Sequence, residues 1–235
     1  RDPSSAASDV YKRQDLDTSE GFTSVDYEKI VIVGMGGSGV AGDVLKLILN
    51  QYTNIDVEVR KTYNLTKTQI AARPFCLFIS YSGNTEETIS AAKNAIDENL
   101  EWAAISSGGE LLDLATKHNK KFVKVPDGLQ PRAAFGLMTK AVVNYLPNQT
   151  KKIFINACEE AGNYLNNLTE DASNEVFEIS KNIANQIGTK TAVIYAGSDL
   201  TYLVAQRWKT QINENSKSKA LSLIHISEPT RPLGI

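Results

Sequence analysis

The sequence has few of the residues that build disulfides, metal sites and membrane spans. Its 235 residues include only two cysteines, two histidines and two methionines. Cys76 lies in a strand-like apolar run and Cys158 in a helical stretch, so the pair predicts neither a disulfide framework nor a thiolate metal site. No apolar run is long enough to span a membrane, and no basic block suggests nucleic-acid binding. These features favour one or two globular domains in a reducing cytoplasm.

Both ends of the chain differ from its middle. Residues 1–14 lack an apolar period, and residues 221–235 break abruptly from the polar helical stretch before them. Both strings resemble translated transposase sequencing adapters, so we expect them to be adapter-like, non-native segments and leave them out of the fold prediction. Residues 15–220 then contain one histidine, His118, which ends a polar helical pattern and is interpreted as a surface residue.

The middle of the chain alternates short apolar runs with helical patterns. Five such runs precede residue 126: Ile30–Val33, Ile55–Val59, Phe75–Ile79, Trp102–Ile105 and Phe122–Val125. Strands that alternate with helices predict βαβ units and a parallel sheet. The runs are almost continuously apolar, as expected for strands that helices cover on both faces. The predicted fold class is therefore α/β, with a three-layer, Rossmann-like arrangement.

A second unit of the same kind begins near the end of the chain. After residue 126 the pattern is helical, until Ala192–Tyr195 repeats a strand followed by glycine and serine, with a further helix after it. We therefore predict a first domain over residues 15–148 and connecting helices over residues 149–188. The start of a second, incomplete domain follows over residues 189–220.

Three closely spaced hydroxyls follow the third apolar run. Ser80, Ser82 and Thr85 would lie on a strand-to-helix turn, where free N–H groups and the helix dipole favour an anion. A plainer alternative is ordinary turn chemistry, because Asn84 and Glu87 have the spacing of a capping box. Capping explains those two residues but not two serines at the end of a buried strand. The loop alone leaves both interpretations open.

A glycine-rich loop follows the first apolar run. The pattern Gly34-x-Gly36-x-x-Gly39 matches the dinucleotide fingerprint, which indicates a nicotinamide-dependent reductase, although tight helix–strand packing without a ligand is also common. The fingerprint requires an acidic residue near the end of the second strand, where this chain has Arg60 and Lys61. A phosphorylated dinucleotide would tolerate the arginine. Both loops should lie at the carboxyl edge of the sheet, so one chamber can use both.

Four motifs together resemble the sugar isomerase (SIS) domain family, and within it the bifunctional phosphoglucose/phosphomannose isomerases. They occur in family order between Tyr27 and Ala220: Gly34–Gly39, Ser80–Thr88, Gln130–Ala134 and Arg207–Asn215. The resemblance implies a whole first SIS domain, connecting helices and an incomplete second SIS domain. It also implies that roughly the last third of the family's length is absent.

The resemblance assigns roles to seven residues. The 6-phosphate of a hexose would be held by two loops, through Gly37, Ser38, Ser80, Ser82 and Thr85. Aldose–ketose isomerisation passes through a cis-enediol and needs a base and a positive group near the developing oxyanion. These roles would fall to Glu214 and Arg132, respectively. Each has a plain alternative, since a glutamate at a helix end and an arginine after a proline are commonly exposed surface residues.

The expected function is the interconversion of fructose 6-phosphate with glucose 6-phosphate, mannose 6-phosphate or both, in cytoplasmic carbohydrate metabolism such as glycolysis and gluconeogenesis. The resemblance implies no metal or organic cofactor and a homodimer in the intact parent. Its ring-opening histidine and a downstream lysine would follow residue 220, so we expect this chain to be an inactive fragment. The alternative is a non-catalytic regulatory SIS module that binds a phosphosugar and does not need Glu214.

Overall fold

The computed structural model describes residues 17–18, 27–130, 133–170 and 175–224. The chain divides into two compact units, residues 1–172 and 173–235. This division falls inside the predicted connecting helices, and the predicted domain limits stay a prediction. Residues 1–14, predicted to be adapter-like, lie outside the described residues. No helix within the described part of the chain is both long and apolar enough to cross a membrane.

The first unit is organised around a sheet of six strands in the described residues. In spatial order they are β1 (Asp17–Thr18), β6 (Lys121–Lys124), β5 (Trp102–Ser106), β4 (Phe75–Ile79), β2 (Lys29–Gly34) and β3 (Asp56–Arg60). The five longer strands pair in parallel, which confirms the predicted α/β fold. The two-residue β1 pairs antiparallel with β6. An edge strand offers unpaired backbone groups to a neighbouring segment, which accounts for this short antiparallel pairing.

Helices cover both faces of this sheet. They are α1 (Gly36–Tyr52), α2 (Lys67–Ala71), α3 (Glu86–Asp97), α4 (Gly109–Lys117), α5 (Phe135–Val142), a 3₁₀ turn (Val143–Tyr145) and α6 (Asn148–Glu170). Because successive strand residues point to opposite faces, β2 contributes Ile30 and Ile32 to one buried cluster and Val31 and Val33 to another. The predicted three-layer arrangement is therefore confirmed.

The two buried clusters pack against different helices. The first contains residues of α1, α5 and the 3₁₀ turn, and partly buried residues of α6 pack against it. The second contains Phe78 and Trp102, whose rings meet edge to face at 5.7 Å, together with alanines of α3. Full coverage explains why strands β4 and β5 are buried at every position.

The second unit is a short βαβ arrangement. Helix α7 (Glu175–Ile187) precedes β7 (Ala192–Ala196), α8 (Asp199–Asn215) and β8 (Ala220–Ile224), and the two strands pair in parallel. Ser198 caps α8 in a capping box with Thr201. Strand β8 contains residues 221–224, which the sequence analysis placed in an adapter-like segment; that origin stays a prediction, but these residues pair with β7 in the structure.

Candidate anion-binding site

The sheet order creates a crevice between two neighbouring strands. Strands β2 and β4 are adjacent, and the chain continues from β2 to β3 on one side but from β4 to β5 on the other. In an open α/β sheet, ligands bind at such a switch point, outside the carboxyl ends of the strands. Two segments lie there. The glycine loop, residues 34–39, includes the end of β2 and the first turn of α1, and the hydroxyl loop, residues 80–85, follows β4. They are the loops that the sequence analysis predicted to share one chamber.

The two loops are in direct contact. The backbone N–H of Tyr81 donates a hydrogen bond to Ser38 Oγ at 3.2 Å. The close approach requires glycine at the start of α1, because a Cβ on Gly39 would lie 2.6 Å from the carbonyl oxygen of Gly34, and a Cβ on Gly34 would lie 2.9 Å from that of Ile79. Helix–strand packing therefore accounts for two of the three fingerprint glycines without a dinucleotide.

The serine hydroxyls of the two loops are all oriented by backbone N–H groups. Each accepts one such hydrogen bond: Ser38 from Tyr81 (3.2 Å), Ser80 from Gly83 (3.1 Å) and Ser82 from Asn84 (3.2 Å). A hydroxyl whose oxygen accepts in this way keeps its own hydrogen for donation. The loops therefore present hydroxyl hydrogens to an anion.

Ser80 and Thr85 form a pair within the hydroxyl loop. Their hydroxyl oxygens are 2.8 Å apart. Only one of the two hydrogens can lie between the oxygens, so the other remains to donate to a third atom. Ser80 is 1% exposed, whereas Thr85 is half-buried and Ser82 is exposed. An incoming anion would therefore meet Ser82 and Thr85 first, with Ser80 orienting Thr85 from beneath.

Two helix N-termini point their unpaired N–H groups toward this edge of the sheet. Helix α1 begins after Met35 and α3 after Thr85, and neither of these residues caps its helix through a side chain. The N–H groups of the first helical turn have no partner inside a helix and carry partial positive charge. Gly37 lies in the first turn of α1, so the N–H group of this predicted phosphate-binding residue is among them.

The predicted capping box at Asn84 and Glu87 is wrong. Helix α3 begins one residue later than that spacing requires, with Thr85 at the N-cap. Asn84 instead reaches another helix, because its Oδ1 accepts a hydrogen bond from the N–H of Glu110 at 3.0 Å. Glu86 is exposed and Glu87 half-buried in the first turn of α3, where their charge complements the dipole.

The hydroxyl loop occupies the N-terminus of α4. Besides the Asn84 bond to Glu110, the carbonyl oxygen of Gly83 accepts from the N–H of Leu111 at 2.9 Å. Gly83 has φ of +70°, and a Cβ there would collide with the carbonyl group of Gly108. The N-terminus of α4 is therefore occupied by the loop itself, whereas no N-cap side chain bonds to the N-termini of α1 and α3.

Sequence reasoning missed the serines that brace the hydroxyl loop. Ser107 donates to the carbonyl oxygen of Tyr81 through both its N–H (3.0 Å) and its hydroxyl (2.6 Å). The buried Ser106 donates through its hydroxyl to the carbonyl oxygen of Gly108 at 2.6 Å. The signal was present, since two serines and two glycines follow the fourth apolar run, at the edge where the other loops end.

The side chain of Tyr81 connects the hydroxyl loop to the segment after β6. Its hydroxyl donates to the carbonyl oxygen of Pro126 at 3.1 Å and accepts from the N–H of Leu129 at 2.9 Å. Burial raises the pKa of this phenol above its usual value. Tyr81 thus contacts the glycine loop, Ser107 directly after β5 and the residues that precede Arg132.

The two predicted catalytic residues do not belong to the segments that build this site. Arg132 lies outside the described residues; on either side of it, the carbonyl oxygen of Gln130 accepts from the N–H of Ala133 (2.8 Å) and of Ala134 (3.2 Å). Glu214 is exposed near the end of α8, in the second unit. Both roles stay predictions.

Asn213, near the end of α8, bonds to the segment that follows the helix. Its side-chain amide exchanges hydrogen bonds with the backbone of Ala220, accepting from the N–H at 2.8 Å and donating to the carbonyl oxygen at 3.3 Å. The cap residue of α8 is Ser216. Asn213 therefore ties the end of α8 to the first residue of β8.

The surroundings do not favour a dinucleotide. At the carboxyl end of β3, where the fingerprint requires an acid, Lys61 forms an ion pair with Asp43 at 2.7 Å. Asp56 lies at the opposite end of the strand and pairs with Lys29. Among the described residues, no cluster of three His, Cys, Asp or Glu side chains could hold a metal ion.

Comparison with known proteins identifies the family. Residues 25–123 match the model of the SIS domain, and residues 178–226 match that of the bacterial phospho-glucose isomerase C-terminal SIS domain. Residues 25–123 belong to the SIS domain family. The first match contains both loops of the candidate site, and the second contains Glu214.

The names of two relatives refer to hexose phosphates. The chain is 40% identical over 204 residues to the bifunctional phosphoglucose/phosphomannose isomerase of Thermoplasma acidophilum, covering 86% of this chain and 60% of that protein. It is 33% identical over 198 residues to the D-glucosamine-6-phosphate 4-epimerase of Sulfolobus acidocaldarius, covering 82% and 59%. The chain thus spans about three fifths of the length of these relatives.

A solved structure supports the fold independently. The tagatose-6-phosphate ketose/aldose isomerase of Escherichia coli superposes with a TM-score of 0.63 at 16% identity, covering 85% of this chain and 57% of that one. At this identity the likeness shows the fold alone.

Proposed function

We propose that the crevice between β2 and β4 binds the phosphate group of a hexose 6-phosphate, and that the chain is part of a phosphoglucose/phosphomannose isomerase. The observation that carries the proposal is the shared orientation of the serine hydroxyls. Ser38, Ser80 and Ser82 each accept from a backbone N–H. The hydrogens of Ser38 and Ser82, and one hydrogen of the Ser80–Thr85 pair, are therefore left for an anion. The open N-termini of α1 and α3 add N–H groups and positive potential at the same crevice.

The chemistry of these donors suits a sugar phosphate. Hydroxyls and helix N-termini bind a phosphate dianion without a fully charged partner, and Lys61, the cation beside the glycine loop, is already paired with Asp43. The names of the relatives agree with the donor set, because the isomerase is named for phosphoglucose and phosphomannose and the epimerase for D-glucosamine 6-phosphate. A shared phosphate site with different chemistry around the sugar would explain why one fold serves both reactions.

The reaction that we propose for the intact protein is aldose–ketose isomerisation through a cis-enediolate. Glu214 would move the proton between C1 and C2, and Arg132 would stabilise the developing oxyanion. The chain spans about three fifths of the isomerase from Thermoplasma acidophilum. We therefore propose that this chain alone binds hexose 6-phosphates and turns them over negligibly, and that the intact protein is a homodimer.

Calorimetry tests the binding step directly. Fructose 6-phosphate should bind to the chain and fructose should not, because the phosphate makes the principal contacts. Ser82→Ala should weaken binding by about tenfold, as expected for the loss of one hydrogen bond to a charged group. Ser90→Ala is the matched control, since Ser90 lies on α3 and its hydroxyl bonds to Asn64 Oδ1. Equal affinity for fructose and its phosphate would contradict the proposal.

A coupled assay separates the enzyme from a phosphosugar-binding regulatory module. In the full-length parent, isomerase activity that Glu214→Gln abolishes while binding persists supports the enzyme. Binding by the parent without turnover supports the regulatory alternative. Substantial conversion of fructose 6-phosphate to glucose 6-phosphate by the 235-residue chain alone would contradict its proposed inactivity.

A further inference from the structure

Tyr81 lies between two of the proposed phosphate ligands, Ser80 and Ser82. Its backbone is held on both sides: the N–H donates to Ser38 Oγ at 3.2 Å, and the carbonyl oxygen accepts from the N–H and the hydroxyl of Ser107. A phosphate bound by Ser38 and Ser82 would restrain the residues on both sides of these bonds. Occupancy of the site would therefore restrain the Tyr81 backbone.

The Tyr81 side chain extends from the loop into the apolar layer on the α1 face. The residue is 7% exposed and belongs to the buried cluster that contains Val125 and Ala134. Its ring is packed, so a shift of the backbone moves the hydroxyl rather than rotating the ring into solvent. The burial that holds the ring is the same burial that raises the pKa of its phenol.

The hydroxyl of Tyr81 joins both ends of a turn. It accepts from the N–H of Leu129 at 2.9 Å and donates to the carbonyl oxygen of Pro126 at 3.1 Å. Gly128, between them, has φ of +85°, and the carbonyl oxygen of Gln130 accepts from Ala133 and Ala134. Residues 126–130 are thus anchored by one side chain from the hydroxyl loop and by the start of the segment before α5.

We propose that Tyr81 is a positioning residue that couples phosphate binding in the crevice to the position of residues 126–130. The coupling rests on the proposed function, since it requires a phosphate to occupy the two loops. Residues 126–130 end two positions before Arg132 in the sequence. A substrate that is held by its phosphate would therefore fix the position of the segment that leads to the proposed oxyanion-stabilising arginine. Phenylalanine would keep the packing but lose both bonds to the turn.

Amide hydrogen exchange at Leu129 tests this coupling, because its N–H is the donor to Tyr81. In the wild-type chain, saturating fructose 6-phosphate should slow exchange of the Leu129 amide by about fivefold, the scale of one hydrogen bond of ordinary strength. In Tyr81→Phe, the amide should exchange faster without ligand, and the slowing by ligand should be lost although fructose 6-phosphate still binds. Calorimetry on the same samples reports binding separately.

Tyr145→Phe is the matched control. Tyr145 is also a buried tyrosine of the first unit, but its hydroxyl donates to the carbonyl oxygen of Ala104, in the middle of the sheet. This variant removes a buried phenolic hydroxyl and should retain the slowing of Leu129 exchange by ligand. Loss of the slowing in both variants would mean general destabilisation and would overturn the assignment to Tyr81.

The outcomes distinguish the inference from the proposed function. If fructose 6-phosphate binds and slows Leu129 exchange equally in the wild type and in Tyr81→Phe, the coupling through Tyr81 is wrong and the phosphate site stands. If it binds to the wild type without any slowing, the coupling is wrong whether or not the variant folds. If it does not bind to the wild type, the proposed function fails, and the coupling fails with it.

Discussion

Replacing Gly83 with alanine tests how tightly the hydroxyl loop and the α4 loop fit together. Gly83 has φ of +70°, and a Cβ there would collide with the carbonyl group of Gly108 and lie 2.7 Å from Ser106 Oγ. The left-handed backbone alone costs alanine about 1 kcal/mol. Displacing a packed loop costs roughly 2 kcal/mol more, by analogy with overpacked cores. The expected loss of unfolding free energy is about 3 kcal/mol.

Gly128→Ala is the control for the backbone contribution. Gly128 has φ of +85°, but nothing lies within 4 Å of the position that its Cβ would take. This variant should lose only about 1 kcal/mol. The difference between the two variants, about 2 kcal/mol, measures the collision with the α4 loop.

Urea unfolding of the first unit measures both variants. Trp102, which is 2% exposed, reports on this unit, and the exposed Trp208 of the second unit is replaced by phenylalanine in every protein compared. A loss for Gly83→Ala equal to that for Gly128→Ala would refute the close packing of the two loops. So would a Gly83→Ala protein with unchanged affinity for fructose 6-phosphate, because the displaced loop carries Ser80 and Ser82.

Two further predictions concern pH and capping. Burial raises the pKa of the Cys76 thiol from 9.0 to about 12. Because the folded pKa lies above the unfolded one, the contribution of the buried neutral thiol to the unfolding free energy is complete below pH 9 and is lost as the pH rises toward 12. Between pH 9 and 10.5, Cys76→Ala should therefore reduce the fall in unfolding free energy by about 1 kcal/mol per pH unit on average, and an unchanged slope in urea unfolding would contradict the burial of the thiol. Asn84→Ala should lower the unfolding free energy by about 1 kcal/mol and speed amide exchange at Glu110, the first capped residue of α4, without affecting exchange at Glu87 in α3. Faster exchange at Glu87 alone would restore the capping-box interpretation.

The sheet and the position of the site followed from local patterns. Each of the five apolar runs before residue 126 became a parallel strand, because runs such as Phe75–Ile79 are buried at every position. The two loops meet because the carboxyl ends of neighbouring parallel strands lie at one edge of the sheet. The hydrogen bond from the N–H of Tyr81 to Ser38 Oγ confirms this contact. The periodicity of the apolar residues and the composition of the turns are sufficient to predict the parallel strands and the contact of the two loops.

The bonds that shape the site depended on residues far apart in the chain. Asn84 has the spacing of a cap for α3 but instead bonds to Glu110, 26 residues away, and Tyr81 reaches Leu129, 48 residues away. Short-range spacing carries no information about such partners, which are chosen when the loops pack. The roles of Arg132 and Glu214 rest on family resemblance, because no local pattern distinguishes either from a surface residue.

The affinity of Ser38→Ala for fructose 6-phosphate is the sharpest test of a phosphate site shared by the two loops. Ser38 lies on the glycine loop, so its contribution distinguishes one phosphate site built from both loops from a site on the hydroxyl loop alone. We expect Ser38→Ala to weaken binding by about tenfold, as Ser82→Ala does, and Ser38→Thr, which retains a hydroxyl, to restore it largely. Unchanged affinity in Ser38→Ala, with Ser82→Ala still impaired, would contradict a shared site.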